Sequence, residues 1–172
     1  SIVLLHACCH NPTGADLSEA QWKEVVEVIR ARGLVAFIDM AYQGFADGIE
    51  PDALALRLFA ASGLQFFVSS SFSKSFSLYG ERVGALSIVT ASKDESARVM
   101  SQVKRVVRTN YSNPPTHGGA VVAAVLSSPD LRKLWEDELA GMRERIRAMR
   151  TGLVDKLKAR GAAQDFSFVA RQ

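Results

Sequence analysis

The segment Gln65-Phe66-Phe67-Val68-Ser69-Ser70 changes character midway, and that change constrains the fold more than any other feature of the chain. Bulky apolar residues give way to hydroxyl residues, as expected where a buried strand reaches the edge of its sheet. Ser71-Phe72-Ser73-Lys74-Ser75-Phe76 follows, and Gly80-Glu81-Arg82-Val83-Gly84 closes the segment. In open α/β sheets, ligands collect beyond the carboxyl ends of the strands. Serine hydroxyls, loop amides and the Arg82 guanidinium can hold phosphate oxygens there, and Lys74 can condense with an aldehyde. Taken alone, the same residues also fit an ordinary polar loop with a surface lysine.

Two more strands end the same way. Leu34-Val35-Ala36-Phe37-Ile38 leads into Asp39-Met40-Ala41-Tyr42-Gln43-Gly44-Phe45, which places a carboxylate and a phenol at a sheet edge. Ile2-Val3-Leu4-Leu5-His6-Ala7 leads into His10-Asn11-Pro12-Thr13-Gly14, a proline- and glycine-built turn that exposes an amide. Asp39 can pair with a protonated pyridine nitrogen, and Tyr42 can reach a ring's phenolic oxygen. With Lys74 as an amine and Ser71 and Arg82 beside it, this donor set describes a pyridoxal phosphate site.

The chain resembles the class I pyridoxal phosphate dependent aminotransferases, in the aspartate and aromatic amino acid subfamily. The resemblance rests on His6-Ala7-Cys8-Cys9-His10-Asn11-Pro12-Thr13-Gly14, Asp39 to Phe45, Ser71 to Lys74, Gly80 to Gly84 and Asn110-Tyr111-Ser112-Asn113-Pro114-Pro115, in that order. It implies an α/β fold of the type I class, a mostly parallel sheet with helices on both faces. It also implies transfer of an amino group between an aspartate-like or aromatic amino acid and a 2-oxo acid such as 2-oxoglutarate.

Each role comes with the resemblance. Lys74 would hold the cofactor covalently and shuttle the proton. Asp39 would pair with the ring nitrogen, Tyr42 and Asn11 with its phenolic oxygen, and Ser71 and Arg82 with the phosphate. Asn11 and Arg108 would also meet the substrate, Arg108 taking a distal carboxylate in the neighbouring subunit of a homodimer with shared sites. His6 and His10 would stand behind the ring. Other enzymes of this fold type, such as β-lyases and decarboxylases, use the same cofactor residues, and so would a non-catalytic domain that kept the fold.

Family members run to roughly twice this length, so the resemblance implies a piece of the large domain, truncated at both ends and inactive by itself. Residues 1–128 are expected to belong to the cofactor-binding domain, and residues 129–172 to a long interdomain helix and the start of a smaller domain.

Composition fits this picture. At 172 residues and 48% hydrophobic content the chain can bury a core, and a net charge of +3 mixed along helices argues against a nucleic-acid surface. No stretch is long and apolar enough to span a bilayer, and no signal peptide opens the chain. Cys8 and Cys9 are adjacent, so in an extended segment their side chains point to opposite faces; a reduced, cytoplasmic setting is expected. His6, Cys8 and His10 alternate onto one face, but a structural metal needs four ligands, and no metal site is expected.

The remaining segments read as scaffold. Ser18-Glu19-Ala20-Gln21 forms a capping box for a helix with Trp22, Val25, Val26 and Ile29 on one face, ending at Gly33. Pro51 is expected to start a helix that ends near Gly63, and Val83 to Val89 to form a strand. Lys93 to Val107 reads as a basic amphipathic helix, and Gly118 to Leu126 as a small-residue helix. Asp130 is expected to cap a long helix with an apolar stripe from Leu131 to Leu157, and Phe166-Ser167-Phe168-Val169 to begin a strand.

Overall fold

A computed structural model describes residues 1–171. Four strands form one sheet in the order β1-β2-β3-β4: β1 (Ile2–His6), β2 (Val35–Met40), β3 (Phe66–Ser71) and β4 (Gly84–Val89). The first three are parallel, and β4 runs antiparallel to β3. The parallel pairs are joined by helical crossovers, as parallel strands require. The first crossover carries α1 (Glu19–Ala31), and the second carries α2 (Ile49–Asp52) and α3 (Leu54–Ser62).

Period-2 alternation sorts the strand residues onto two faces. Ala36, Ile38 and Met40 of β2 and Phe66 and Val68 of β3 meet Trp22, Val26 and Ile29 of α1 and Ala55 and Phe59 of α3 in one core. Phe59 is fully buried, with its ring 5.5 Å from Phe66 and edge-on to Trp22 at 6.5 Å. On the opposite face, Phe67, Leu86 and Ile88 line a cleft with Val99, Val103 and Val106 of α4 (Lys93–Asn110). The sheet therefore carries helices on both faces. Among the described residues, no helix is long and apolar enough to cross a membrane.

Ser18 caps α1 as its sequence predicts: its hydroxyl accepts from Gln21 N–H, and the Gln21 side chain accepts from Ser18 N–H. Helix α4 runs on to Asn110, past the expected Val107, and three further differences from expectation have a local physical cause. The helix expected from Pro51 to Gly63 is two helices meeting at Ala53, because the Asp52 carboxylate turns back to the amides of the preceding loop. The last long helix, α6 (Pro129–Ala159), is capped by Ser128 rather than Asp130; Pro129 takes the first helical position, where its missing N–H costs nothing. Phe166 to Val169 begins no strand. Ser167–Arg171 is a 3₁₀ turn, started by the Asp165 carboxylate accepting from the Ser167 amide and hydroxyl.

The apolar stripe of α6 is only partly covered. Leu139 is buried, and Trp135 stacks on Phe76 at 4.5 Å, while Leu134, Met149 and Leu153 are exposed. Helix α5 (Thr116–Ser127) supplies Val121 and Val125 to a cleft shared with Leu131, Leu134 and Met142 of α6.

Candidate active site

The parallel register places His6 opposite Asp39, and Asp39 opposite Ser69. One row of polar residues thus crosses the carboxyl ends of three strands, where an α/β sheet gathers its ligands. Ser69 Oγ donates to Asp39 Oδ1 at 2.7 Å, which fixes the carboxylate and satisfies part of its burial cost.

Lys74 sits in the connection between β3 and β4. The antiparallel pairing that opposes Ser71 to Gly84, extended by Phe72 N–H donating to Val83 O, closes this connection into a compact loop. Gly84 is required here, because a Cβ at that position would stand against the Ser70 carbonyl oxygen. Inside the loop, Ser71 Oγ accepts from Ser73 N–H at 3.3 Å. Arg82 adopts left-handed backbone, φ 51°, and its guanidinium donates to Tyr79 O at 3.2 Å.

The Lys74 ammonium lies 4.7 Å from the centre of the Tyr42 ring. Both side chains, with Asn11 and His10, line one cleft of about 460 Å³. Asn11 is delivered by a tightly tied turn. Asp16 accepts from Cys9 N–H at 2.6 Å and His10 N–H at 2.8 Å, Gly14 N–H donates to His10 O, and the Asn11–Pro12 peptide is cis. His6 accepts from Asn11 N–H at 3.3 Å, and its ring lies 4.7 Å from that of His10. His10 also shares a 2.6 Å hydrogen bond with Thr13.

Of the residues predicted from sequence, Lys74, Tyr42, Asn11 and His10 therefore meet at one cleft. Asp39 lies on the polar row with His6, and Ser71 and Arg82 flank the Lys74 loop. Arg108 stands apart, in the last turn of α4, where it donates to Ser112 Oγ. The cysteines depart from expectation: Cys9 has φ 49°, so the segment is not extended, and the Cys9 thiol donates to Tyr42 O at 4.0 Å. Both are free. Interaction with the adjacent Cys9 thiol, then burial, push the Cys8 thiol far up, whereas interaction with Cys8 brings Cys9 below the ordinary range, with Arg150 acting in the same direction.

Sequence reasoning missed Arg150 and Ile146, which reach the cleft from α6, and Asp16, which ties the Asn11 turn. Their four-residue spacing sets Ile146 and Arg150 on one helix face, the only signal that could have linked them. It also missed Ser69 as the partner of Asp39.

The arrangement offers an amine beside a phenol, a hydrogen-bonded carboxylate at a strand end, an amide on the cleft wall, and hydroxyl and guanidinium groups around a short loop. Comparison with known proteins places it. The model of the family "Aminotransferase class I and II" matches residues 1–172. The chain is 72% identical over its whole length to an aspartate aminotransferase of Pseudomonas aeruginosa and 52% identical to an aromatic-amino-acid aminotransferase of Escherichia coli, spanning 43% of each. It superposes with a TM-score of 0.99, at 72% identity, on an aromatic-amino-acid aminotransferase of Burkholderia pseudomallei solved covalently bound to pyridoxal phosphate, covering all of this chain and 43% of that one. Polar row, lysine loop and whole-length match agree: the chain belongs to the class I and II aminotransferases.

Proposed function

We propose that this chain is the cofactor-binding core of an aminotransferase that moves an amino group between an aspartate-like or aromatic amino acid and a 2-oxo acid such as 2-oxoglutarate. The observation that carries the reading is the placement of Lys74 against Tyr42, with Asn11 on the same cleft and Asp39 on the polar row. The names of the relatives support both substrate classes.

The residues present fit pyridoxal phosphate by their donor chemistry. Lys74 offers a primary amine to an aldehyde, Asp39 an acceptor to a protonated ring nitrogen, and Tyr42 and Asn11 donors to a phenolic oxygen. Ser71 and Arg82 offer a hydroxyl and a guanidinium to a phosphate. When bound, the cofactor supplies an electron sink for the electrons released at the amino acid's α-carbon.

The protein's part is proton management and alignment. Once the substrate's amino group displaces it from the covalent link, the free Lys74 Nζ would take the proton from the substrate's Cα as general base and deliver it, as general acid, to the cofactor carbon that carries the amino group. Asp39 holds the proton on the ring nitrogen, and Ser69 holds Asp39. The Tyr42 hydroxyl and the Asn11 amide orient the ring by its oxygen. His6 and His10 back the Asn11 turn. Arg108 serves a distal carboxylate in the partner's site of a homodimer. The same reading divides the chain at residue 128, with α6 leading toward a second domain, and two free cysteines favour a cytoplasmic setting.

Borohydride reduction of the intact protein followed by peptide mapping tests the assignment. The pyridoxyl label is expected on Lys74; a label on any other lysine sinks the proposal.

A further inference from the structure

The loop between β2 and α2 brings Tyr42 and Phe45 to the cleft, and a buried acid organises it. Asp52 is 5% exposed. Its Oδ2 accepts from Gly44 N–H at 2.7 Å and Ala46 N–H at 3.1 Å, and its Oδ1 from Asp47 N–H at 2.8 Å and Gly48 N–H at 3.3 Å. Convergence of four amides on one carboxylate meets the cost of burying its charge, and it leaves the loop one well-satisfied conformation.

Helix α6 grips the same loop from the other side. Leu139 fills the space a Gly44 Cβ would need, and Gly44 has φ 94°, so only glycine is accommodated. Arg143 Nη1 donates to Gly44 O at 2.8 Å, and Arg147 Nη2 reaches Ala46 O and Asp47 Oδ1, each at 2.6 Å. Nearer the start of the same helix, and in line with these residues at four-residue spacing, Trp135 Nε1 donates to Ser75 O at 2.6 Å, beside Lys74. The loops of Tyr42 and Lys74 are thus referenced to one helix.

We propose that Asp52 is a positioning residue for the reaction: by gathering the loop amides it fixes the place of Tyr42 against the cofactor-bearing Lys74. The inference rests on the reading of Lys74 as the cofactor lysine. Asp52 touches neither Lys74 nor Tyr42 in any hydrogen bond of the loop, so its effect must pass through the backbone. Asparagine at position 52 keeps the shape but presents an NH₂ to two of the four amides, leaving them unpaired.

The test compares the intact protein with its Asp52→Asn, Tyr42→Phe and double variants. In cofactor-free protein, Asp52→Asn is expected to raise amide hydrogen exchange at Gly44, Ala46, Asp47 and Gly48 at least tenfold and to leave β2 and β3 unchanged. With pyridoxal phosphate bound, the absorbance titration of the lysine-linked chromophore is expected to move in the direction that Tyr42→Phe moves it, with no further movement in the double variant. An unmoved midpoint in Asp52→Asn, or a movement that adds to that of Tyr42→Phe, overturns the proposal while the chromophore itself upholds Lys74. A wild-type protein that forms no lysine-linked chromophore overturns the cofactor reading and this inference together. Should Asp52→Asn not fold, Arg147→Gln decides: this half-exposed clamp is expected to give a smaller midpoint shift of the same sign, absent in the Tyr42→Phe background, and no shift overturns the proposal.

Discussion

The Ser69 hydroxyl donates to Asp39 across the β2–β3 ladder at 2.7 Å, in a register that places the two residues side by side at the carboxyl edge of the sheet. A carboxylate that must hold a proton on a ring nitrogen gains orientation from such a partner, and a hydrogen bond to a charged group contributes about 1.5–3 kcal/mol. Ser69→Ala in the intact protein is therefore expected to lower kcat by about 10- to 100-fold. Asp39→Ala, which removes the carboxylate itself, is expected to cost more, with the Lys74 link still formed. Steady-state kinetics beside borohydride trapping separate the two; equal kcat values for Ser69→Ala and wild type would contradict the support role.

The thiol pair makes a second expectation. Cys9 is lowered by interaction with the neighbouring Cys8 thiol and by Arg150, against burial and the carboxylates of Asp16 and Asp52; Cys8 is raised by the same interaction and by burial. The thiolate is the reacting form, so Cys9 should alkylate at lower pH than a free cysteine and Cys8 should stay unreacted until the protein unfolds. Iodoacetamide labelling across a pH series, read by peptide mass, is the measurement. Cys8→Ala removes the neighbouring thiol and should move the Cys9 profile to higher pH. Labelling of Cys8 as fast as Cys9 would reverse the assignment.

Phe59 anchors the core that holds the polar row in place, lying between Trp22 and Phe66 with no exposed surface. Truncating a fully buried phenylalanine to alanine removes its transfer energy and leaves a cavity, at a cost of about 3–5 kcal/mol, a large fraction of the roughly 5–15 kcal/mol by which a domain is stable. Phe59→Ala is expected to lower the urea midpoint of the intact protein steeply, and Phe59→Leu to do so far less. Equal midpoints for the two variants would mean the site collapses around the change.

Strand ends were the most legible part of the molecule in its sequence. Ser69, Asp39 and His6 each follow an apolar run, and a parallel sheet with crossover helices leaves those runs little choice but to end on one edge. Capping of α1 was legible too, because Ser18 and Gln21 act within one turn. Local signals failed where a distant partner decides. Asp52 reads as an unremarkable acid after Pro51, yet four loop amides turn it inward and split a helix in two. Asp130 is a good cap residue by type, but Ser128 precedes Pro129 and takes the position. Phe166 and Phe168 alternate like a strand, and no neighbouring strand pairs with them among the described residues. Arg150 carries no local sign of the cleft it reaches, since only the packing of α6 brings it there.

Arg108 is the residue whose placement within one chain accounts least for its proposed role. It lies in the last turn of α4, bonded to Ser112, and is not among the residues that line the Lys74 cleft. If it serves the partner's site, a homodimer carries two composite sites, each built from one subunit's Lys74 and the other's Arg108. Mixing two inactive intact variants, Lys74→Ala and Arg108→Leu, under subunit exchange then produces hybrid dimers with one site bearing both lesions and one bearing neither. Activity toward dicarboxylic substrates should return, reaching up to about a quarter of the wild-type level, because random exchange makes half the dimers hybrid and each hybrid has one intact site. If Arg108 acts within its own subunit, every site keeps one lesion and nothing is recovered. That result would remove the shared-site proposal and leave the lysine chemistry standing.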